Sequence, residues 1–134
     1  MAYNSCWVVG IENVNSKLNN RSYSATISLD NVAMATSGNY RKFRVDSLTG
    51  KKYVHTLNPL TGSAEKSDIT SATVLAATCA EADAYATSFM ALGLEKSKEV
   101  IKNLEGIEVY FTYNDLNNKE QVFTTEGLKK RLLD

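Results

Sequence analysis

The chain has 134 residues, a size that fits one globular domain, and we expect residues 1–134 to form a single domain. Its 15 basic and 15 acidic residues cancel, which leaves no large field of one sign and argues against binding to nucleic acid or anionic lipid. No apolar run is long enough to cross a bilayer, and the first ten residues lack the basic and apolar regions of a signal peptide.

Strands are predicted throughout the first half of the chain. Each segment is short and is either apolar throughout or apolar at every second position, which is the pattern of buried and half-buried strands. These segments are 5–12, 23–29, 32–36, 40–45 and 53–56. The last two flank the turn DSLTGK, so we expect them to form a hairpin, with Tyr40, Phe43 and Val45 facing inward.

Helices and strands are both predicted in the second half. The run SATVLAA at 71–77 is small and apolar, as in a strand that is buried on both faces. Apolar residues at helical spacing predict a helix over 81–92 that stops at Gly93, and a second one over 95–104. The remaining segments are a hairpin of 107–113 with 121–124 and a short basic helix over 127–133. This order indicates the α+β class.

His55 is the only histidine of the chain. It follows a predicted strand and precedes a turn that contains Asn58, Pro59, Thr61 and Gly62. A histidine can take and give a proton near neutral pH, and the N–H groups and hydroxyl of such a turn could hold an anion. A lone histidine is more often a surface or structural residue, so the turn by itself only suggests a reactive group.

Asp83 and Thr87 stand four residues apart in the predicted helix, which places both side chains on one face. Their oxygens suit a hard cation such as Mg²⁺, which keeps its other positions for water and substrate phosphates. The alternative is that Asp83 interacts with the helix dipole and Thr87 simply packs. Spacing alone favours this alternative.

The segment TSGNY at 36–40 places hydroxyls, a glycine and an aromatic ring beside a strand. Its backbone could approach a ligand closely, and Tyr40 could stack on a planar ring, although such a tyrosine is more often part of the core. Trp7 is likewise expected to anchor the core. Cys6 and Cys79 are expected to be small, partly buried side chains.

Taken together and in chain order, these segments resemble the ApbE family. The matching stretches are CWVVGIEN, TSGNY, GKKYVHTLNPLTG and EADAYATSFMALG, and they extend from about Trp7 to Gly93. The resemblance implies a T-fold-like α+β fold with a mixed or antiparallel sheet and two or three helices, of which this chain would be the C-terminal portion. Leu60 departs from the family pattern, which often has a basic residue at this position.

The function that the resemblance implies is that of an FAD:protein FMN transferase. Such an enzyme splits FAD at its pyrophosphate with the help of Mg²⁺ and transfers FMN to a threonine of an acceptor flavoprotein. Asp83 and Thr87 carry over as the metal ligands, and His55 carries over as the general base or phosphate-orienting group. The cofactor-binding positions that carry over are Ser37, Gly38, Tyr40, His55, Thr61 and Gly62.

The family's N-terminal portion, which supplies further flavin, adenine and metal contacts, is missing from this sequence. We therefore expect a fragment or shortened enzyme that is weakly active or inactive alone. Two alternatives stay open: an FAD pyrophosphatase, and a non-enzymatic module that binds flavin or a partner protein. The surface left by the missing portion is expected to bind a second chain or another copy. Relatives usually act in the periplasm or at a membrane anchor, but this sequence leaves the compartment open.

Overall fold

Strands come first along the described chain, then two helices, then further strands with one short helix, and this order confirms the α+β class. The computed structural model describes residues 6–40, 43–54, 56–63 and 67–133. Within these ranges the strands are β1 (Trp7–Glu12), β2 (Tyr23–Leu29), β3 (Ala33–Gly38), β4 (Phe43–Val45), β5 (Lys52–Val54), β6 (Ile69–Ala76), β7 (Glu108–Asn114), β8 (Glu120–Thr124) and β9 (Leu132–Leu133). The helices are α1 (Cys79–Leu92), α2 (Leu94–Ile101) and α3 (Glu126–Lys129).

Antiparallel pairing organises these strands into sheets. The largest has the order β3-β6-β7-β8, and a second has the order β1-β2-β9. The predicted hairpin of β4 with β5 is confirmed. All eight residues of β6 are buried, as expected for a strand covered on both faces.

Two apolar clusters lie on opposite faces of the β3-β6-β7-β8 sheet. On one face α1 packs on the sheet, and Phe89 meets Phe111 edge to face with ring centroids 5.4 Å apart. On the other face Leu75 and Tyr110 pack against the second sheet, which contributes Ile27. Burying a side chain such as Phe89 stabilises the fold by about 1.5–3 kcal/mol. The molecule is therefore layered, with α1 and the second sheet on either side of β6.

Local hydrogen bonds fix both ends of α1. The hydroxyl of Thr78 accepts a bond from the N–H of Glu81 at 3.2 Å, which caps the first turn. The helix ends at Gly93, which has a φ of +81° and donates its N–H to the Phe89 carbonyl at 3.1 Å. The carboxylate of Asp68 then accepts from the N–H of Leu94 at 2.9 Å and caps α2. These bonds hold α1 in a defined position on the sheet.

Several side chains are more exposed than their type predicts. Trp7 is 79% exposed and Val45 is 53% exposed, so the prediction that they face inward is wrong. Trp7 lies at the start of β1, which is an edge strand and has a neighbour on one side only. Cys6 and Cys79 are free and exposed, not partly buried. The side chain of Phe43 lies outside what the structure describes.

The chain's last helix is shorter than predicted. α3 ends at Lys129, and Leu132 and Leu133 pair instead with β2 as the strand β9. The free edge of β2 offers these residues backbone partners, which outweighs their helical pattern. α2 also ends earlier than expected, at Ile101. None of the helices in the described ranges is long and apolar enough to cross a membrane.

Candidate functional site

One face of α1 packs on the sheet and the other carries polar side chains. Ala82 and Ala86 are fully buried, whereas Asp83, Thr87 and Ser88 are exposed. Asp83 and Thr87 are one helical turn apart on this exposed face, as the sequence predicts. Within the part of the chain that the structure describes, the exposed Asp83 carboxylate makes no hydrogen bond or ion pair.

Thr87 joins α1 to the end of β3. Its Oγ1 lies 3.1 Å from Oγ of Ser37, and the two hydroxyls share a hydrogen bond across 50 positions of sequence. Ser37 is opposite Ala72 of β6, on the sheet face that α1 covers. Two segments that the sequence singled out separately are therefore in direct contact.

Further hydrogen bonds hold the end of β3 in place. The hydroxyls of Thr36 and Thr73 are 2.8 Å apart. The N–H of Asn39 donates to the carbonyl of Thr70 at 3.1 Å, and its Nδ2 donates to the carbonyl of Ile69 at 3.2 Å. Among the described residues, the buried Oδ1 of Asn39 finds no partner. Ser37 thus lies between two anchored residues, Thr36 and Asn39.

Gly38 and Tyr40 pack on each other at the end of β3. A Cβ atom at Gly38 would lie 2.5 Å from the Tyr40 ring, so the ring occupies the space that a side chain would need. The Tyr40 hydroxyl donates to Oε2 of Glu12 at 3.4 Å. Tyr40 therefore connects β3 to β1.

The turn over residues 56–63 lies against α1. Oδ1 of Asn58 accepts from the N–H of Leu60 at 3.0 Å, and its backbone carbonyl accepts from the N–H of Gly62 at 2.8 Å. Gly62 has a φ of +67°, which favours glycine. The Nδ2 group of Asn58 donates to the carbonyl of Ala91 at 3.2 Å, and this bond ties the turn to the helix.

A pocket of about 490 Å³ lies between this turn and α1. One wall is formed by residues 56–60 and the other by the exposed face of α1, including Thr87. Most of the lining is aliphatic, from Leu57, Leu60 and Leu92 among others. A largely apolar pocket with a few hydroxyls at one side is the usual form of a small-molecule site.

The predicted site residues fall into three groups. Ser37, Asp83 and Thr87 lie together on α1 and the facing end of β3. Gly38 ends β3, and Tyr40 follows two residues later and packs on it. Thr61 and Gly62 lie on the turn but do not line the pocket. His55 lies outside the described residues. Leu60, the departure from the family pattern, is 79% exposed on the turn.

The donor set at Asp83 and Thr87 is one carboxylate and one hydroxyl. Across residues 6–40, 43–54, 56–63 and 67–133, no three or more His, Cys, Asp or Glu side chains are grouped as a metal cage. Two hard oxygens fit Mg²⁺, which commonly takes one or two protein ligands and fills its remaining positions with water and phosphate oxygens. The chemistry of the pair therefore suits a cation that is shared with a substrate.

Sequence reasoning missed three contributors to this region. Ser88 lines the pocket at a position adjacent to Thr87, and helical spacing from Ala84 to Ala91 could have indicated this face. The link from Asn58 to α1 depends on tertiary packing and has no sequence signal beyond the Asn-Pro pair. The buried side-chain amide of Asn39 likewise has no sequence signal.

Comparison with known proteins finds a matching family and relatives of similar sequence. The model of the ApbE family matches residues 2–111. The FAD:protein FMN transferase of Escherichia coli strain K12 is 38% identical over 104 residues, which cover 78% of this chain and 28% of that protein. The FAD:protein FMN transferase of Haemophilus influenzae is 36% identical over 94 residues, which cover 70% and 26%. The chain thus spans less than a third of the length of either relative.

Solved structures show the same fold. The ApbE protein of Thermotoga maritima matches with a TM-score of 0.78 and 25% identity, over 98% of this chain and 40% of that one. The flavin transferase ApbE of Vibrio cholerae matches with a TM-score of 0.74 and 27% identity, over 95% and 38%. The fold predicted from the sequence is therefore confirmed.

Proposed function

The chain belongs to the ApbE family, and on that premise we propose that it forms part of an FAD:protein FMN transferase. Residues 1–134 would act as one domain that corresponds to the C-terminal portion of the longer family proteins. The activity named for its relatives supports this proposal. FAD would be the substrate, and a threonine of a separate flavoprotein would be the acceptor.

The position of Thr87 is the observation that carries the proposal. This side chain lies on α1 above Asp83, bonds to Ser37 of TSGNY at 3.1 Å, and lines the pocket formed with the turn after residue 55. Three of the four stretches that resemble the family therefore meet around one hydroxyl. Convergence of separate motifs on one point is what a reaction site requires.

In the proposed reaction, the acceptor threonine oxygen attacks the FMN phosphorus of the FAD pyrophosphate. A new bond forms between this oxygen and phosphorus, the bond to the bridging oxygen breaks, and AMP leaves. His55 would take the proton of the threonine, a role that rests on the motif. The Thr61 hydroxyl, which accepts from the N–H of Ser63 at 3.2 Å and can still donate its own proton, would lie beside the phosphates.

Asp83 and Thr87 would hold Mg²⁺ at the pyrophosphate. When bound, this cation would offset the charge that develops on the phosphate oxygens. The exposed Asp83 carboxylate, which has no partner among the described residues, supports this role. Ser37, Gly38 and Tyr40 would border the flavin.

The remainder of the family's fold would cover the outer face of β1 and β2. Val8 and Tyr23 are 63% and 64% exposed on this face, and the Tyr23 ring lies across Gly10. A surface of this kind marks a contact with another polypeptide segment. Where that remainder does not cover the outer face of β1 and β2, we propose that copies of the chain associate through this face.

A reconstituted transfer assay tests this function. The chain is mixed with the remaining portion of the Thermotoga maritima relative, FAD, Mg²⁺ and an acceptor domain that carries a threonine. We expect covalent FMN on the acceptor by mass spectrometry and AMP in solution. Asp83→Asn should lower the rate about 100-fold or more, because a bound cation contributes several kcal/mol to such reactions.

Glu81→Gln is the matched control. It removes the same charge from the same helix but on another face, and should leave the rate within about twofold of the unsubstituted chain. Covalent product that persists in the His55→Ala, Asp83→Ala double variant would contradict the site assignment. AMP and free FMN without labelled acceptor would favour the pyrophosphatase alternative.

A further inference from the structure

A threonine hydroxyl that binds a cation must direct a lone pair at the cation and its proton elsewhere. Inside a helix the usual acceptor for this proton is the carbonyl four residues earlier. Ser88 follows this rule, since its hydroxyl donates to the carbonyl of Ala84 at 2.7 Å. Thr87 is different, because its hydroxyl partner is on another element of the fold.

The partner of Thr87 is the hydroxyl of Ser37 at 3.1 Å. Ser37 is part of β3, which pairs with the fully buried strand β6. Thr36 before it and Asn39 two residues after it are anchored by the Thr36–Thr73 bond at 2.8 Å and the Asn39–Ile69 bond at 3.2 Å. The hydroxyl that contacts Thr87 is therefore held by the sheet.

We propose that Ser37 is a positioning residue for the cation, and that it accepts the proton of Thr87 so that a Thr87 lone pair points outward beside Asp83. This inference rests on the proposed function, which makes Asp83 and Thr87 the cation ligands. It also changes the role of Ser37, which the family resemblance places along the flavin. Ser37 acts on the cation through Thr87 and does not itself bind it.

Removing the Ser37 hydroxyl should weaken cation binding without removing a ligand. Thr87 would be free to rotate toward the carbonyl of Asp83, and its lone pairs would lose their orientation. Groups that orient a metal ligand typically contribute 10- to 100-fold in affinity. We expect the lower end of this range, about 10-fold, because the two hydroxyls lie near the surface.

Mn²⁺ binding to the full chain measures this effect without reference to activity. Free Mn²⁺ is titrated by its paramagnetic resonance signal against the unsubstituted chain and against Ser37→Ala, Ser37→Thr and Ser24→Ala. The Kd should rise about 10-fold in Ser37→Ala and return to within about threefold in Ser37→Thr, which keeps a hydroxyl. Ser24→Ala, an exposed serine of β2, should bind as the unsubstituted chain does.

A double-variant cycle separates positioning from a general structural effect. In a Thr87→Ala background, Ser37→Ala should cause no further loss of Mn²⁺ affinity. An equal loss in both backgrounds, or an unchanged Kd in Ser37→Ala, would overturn the inference while leaving the proposed cation site intact. If Ser37→Ala does not fold, Ser37→Cys takes its place, with the same expected rise in Kd.

The proposed function fails separately. If the unsubstituted chain and Asp83→Ala bind Mn²⁺ equally, or neither binds it, then Asp83 and Thr87 are not cation ligands. The inference about Ser37 would fall with them.

Discussion

Thr87 lies on α1, and its hydrogen bond to Ser37 links the helix to the end of β3. Sequence spacing predicts the neighbours of Thr87 within its own helix, because the geometry of a helix fixes which residues share a face. It does not predict Ser37, because 50 positions separate the two residues and their contact depends on how α1 lies on the sheet. The family resemblance identified both residues as site residues, but it did not predict the hydrogen bond between them.

Trp7 shows a second limit of prediction from sequence at the residue scale, which concerns burial. A tryptophan in an apolar strand is usually buried, yet this one is 79% exposed on an edge strand. Burial depends on what else is present to cover a side chain, and the sequence of one strand does not contain that information.

Asp115 provides a prediction for the pH dependence of stability. The N–H of Lys119, then the N–H of Asn117 and the amide of Gln121, donate to this carboxylate and hold its pKa below the ordinary value. A pKa lowered in the folded state stabilises the fold above the unfolded pKa of about 3.9, and this contribution is lost as pH falls through the folded pKa.

The Asp115→Asn variant should therefore be less stable than the unsubstituted chain at pH 7. The difference in free energy of unfolding should shrink as the pH is lowered below about 4. Urea unfolding at a series of pH values measures it. A difference that grows toward acid pH would show that the carboxylate is destabilising in the fold.

At the scale of elements, hydrophobic periodicity predicted the order of strands and helices well. The alternation of 23–29 predicted β2 with its observed bounds, and the apolar run at 71–77 predicted the buried strand β6. The pattern failed at 127–133, where the edge of β2 recruits Leu132 and Leu133 as β9. Edge pairing is a tertiary effect, and it overrides local preference.

The N-terminal cap of α1 gives a prediction at this scale. Thr78→Ala removes the acceptor for the Glu81 N–H and should destabilise the chain by about 1 kcal/mol. Thr78→Ser keeps the acceptor and should stay close to the unsubstituted chain. Denaturant unfolding measures both. Equal losses in the two variants would mean that the threonine contributes through its methyl group and not through the cap.

At the scale of the whole molecule, the match to the Thermotoga maritima structure covers 98% of this chain but only 40% of that one. The motifs identified the family from the sequence because each requires particular residues in a fixed order. They do not reveal how the rest of the proposed reaction site is assembled, because they describe only the matched part of the longer relatives. The exposed outer face of β1 and β2 agrees with a fold that is completed by further polypeptide.

The chain has 14 acidic residues besides Asp83, and these could compete for a divalent cation. A cation that binds by general attraction would distribute among them, for example to Asp115 and Glu120 at the β7–β8 turn. A cation held by the proposed pair would favour one place, where α1 meets the end of β3.

Paramagnetic broadening of backbone amide signals by Mn²⁺ locates the cation directly on the folded chain. At low Mn²⁺, signals from residues 36–38 and 83–88 should broaden first, and Asp83→Asn should abolish this selectivity while Glu81→Gln preserves it. Broadening that is centred on the β7–β8 turn, or that spreads evenly over the acidic surface, would contradict a cation site at Asp83 and Thr87.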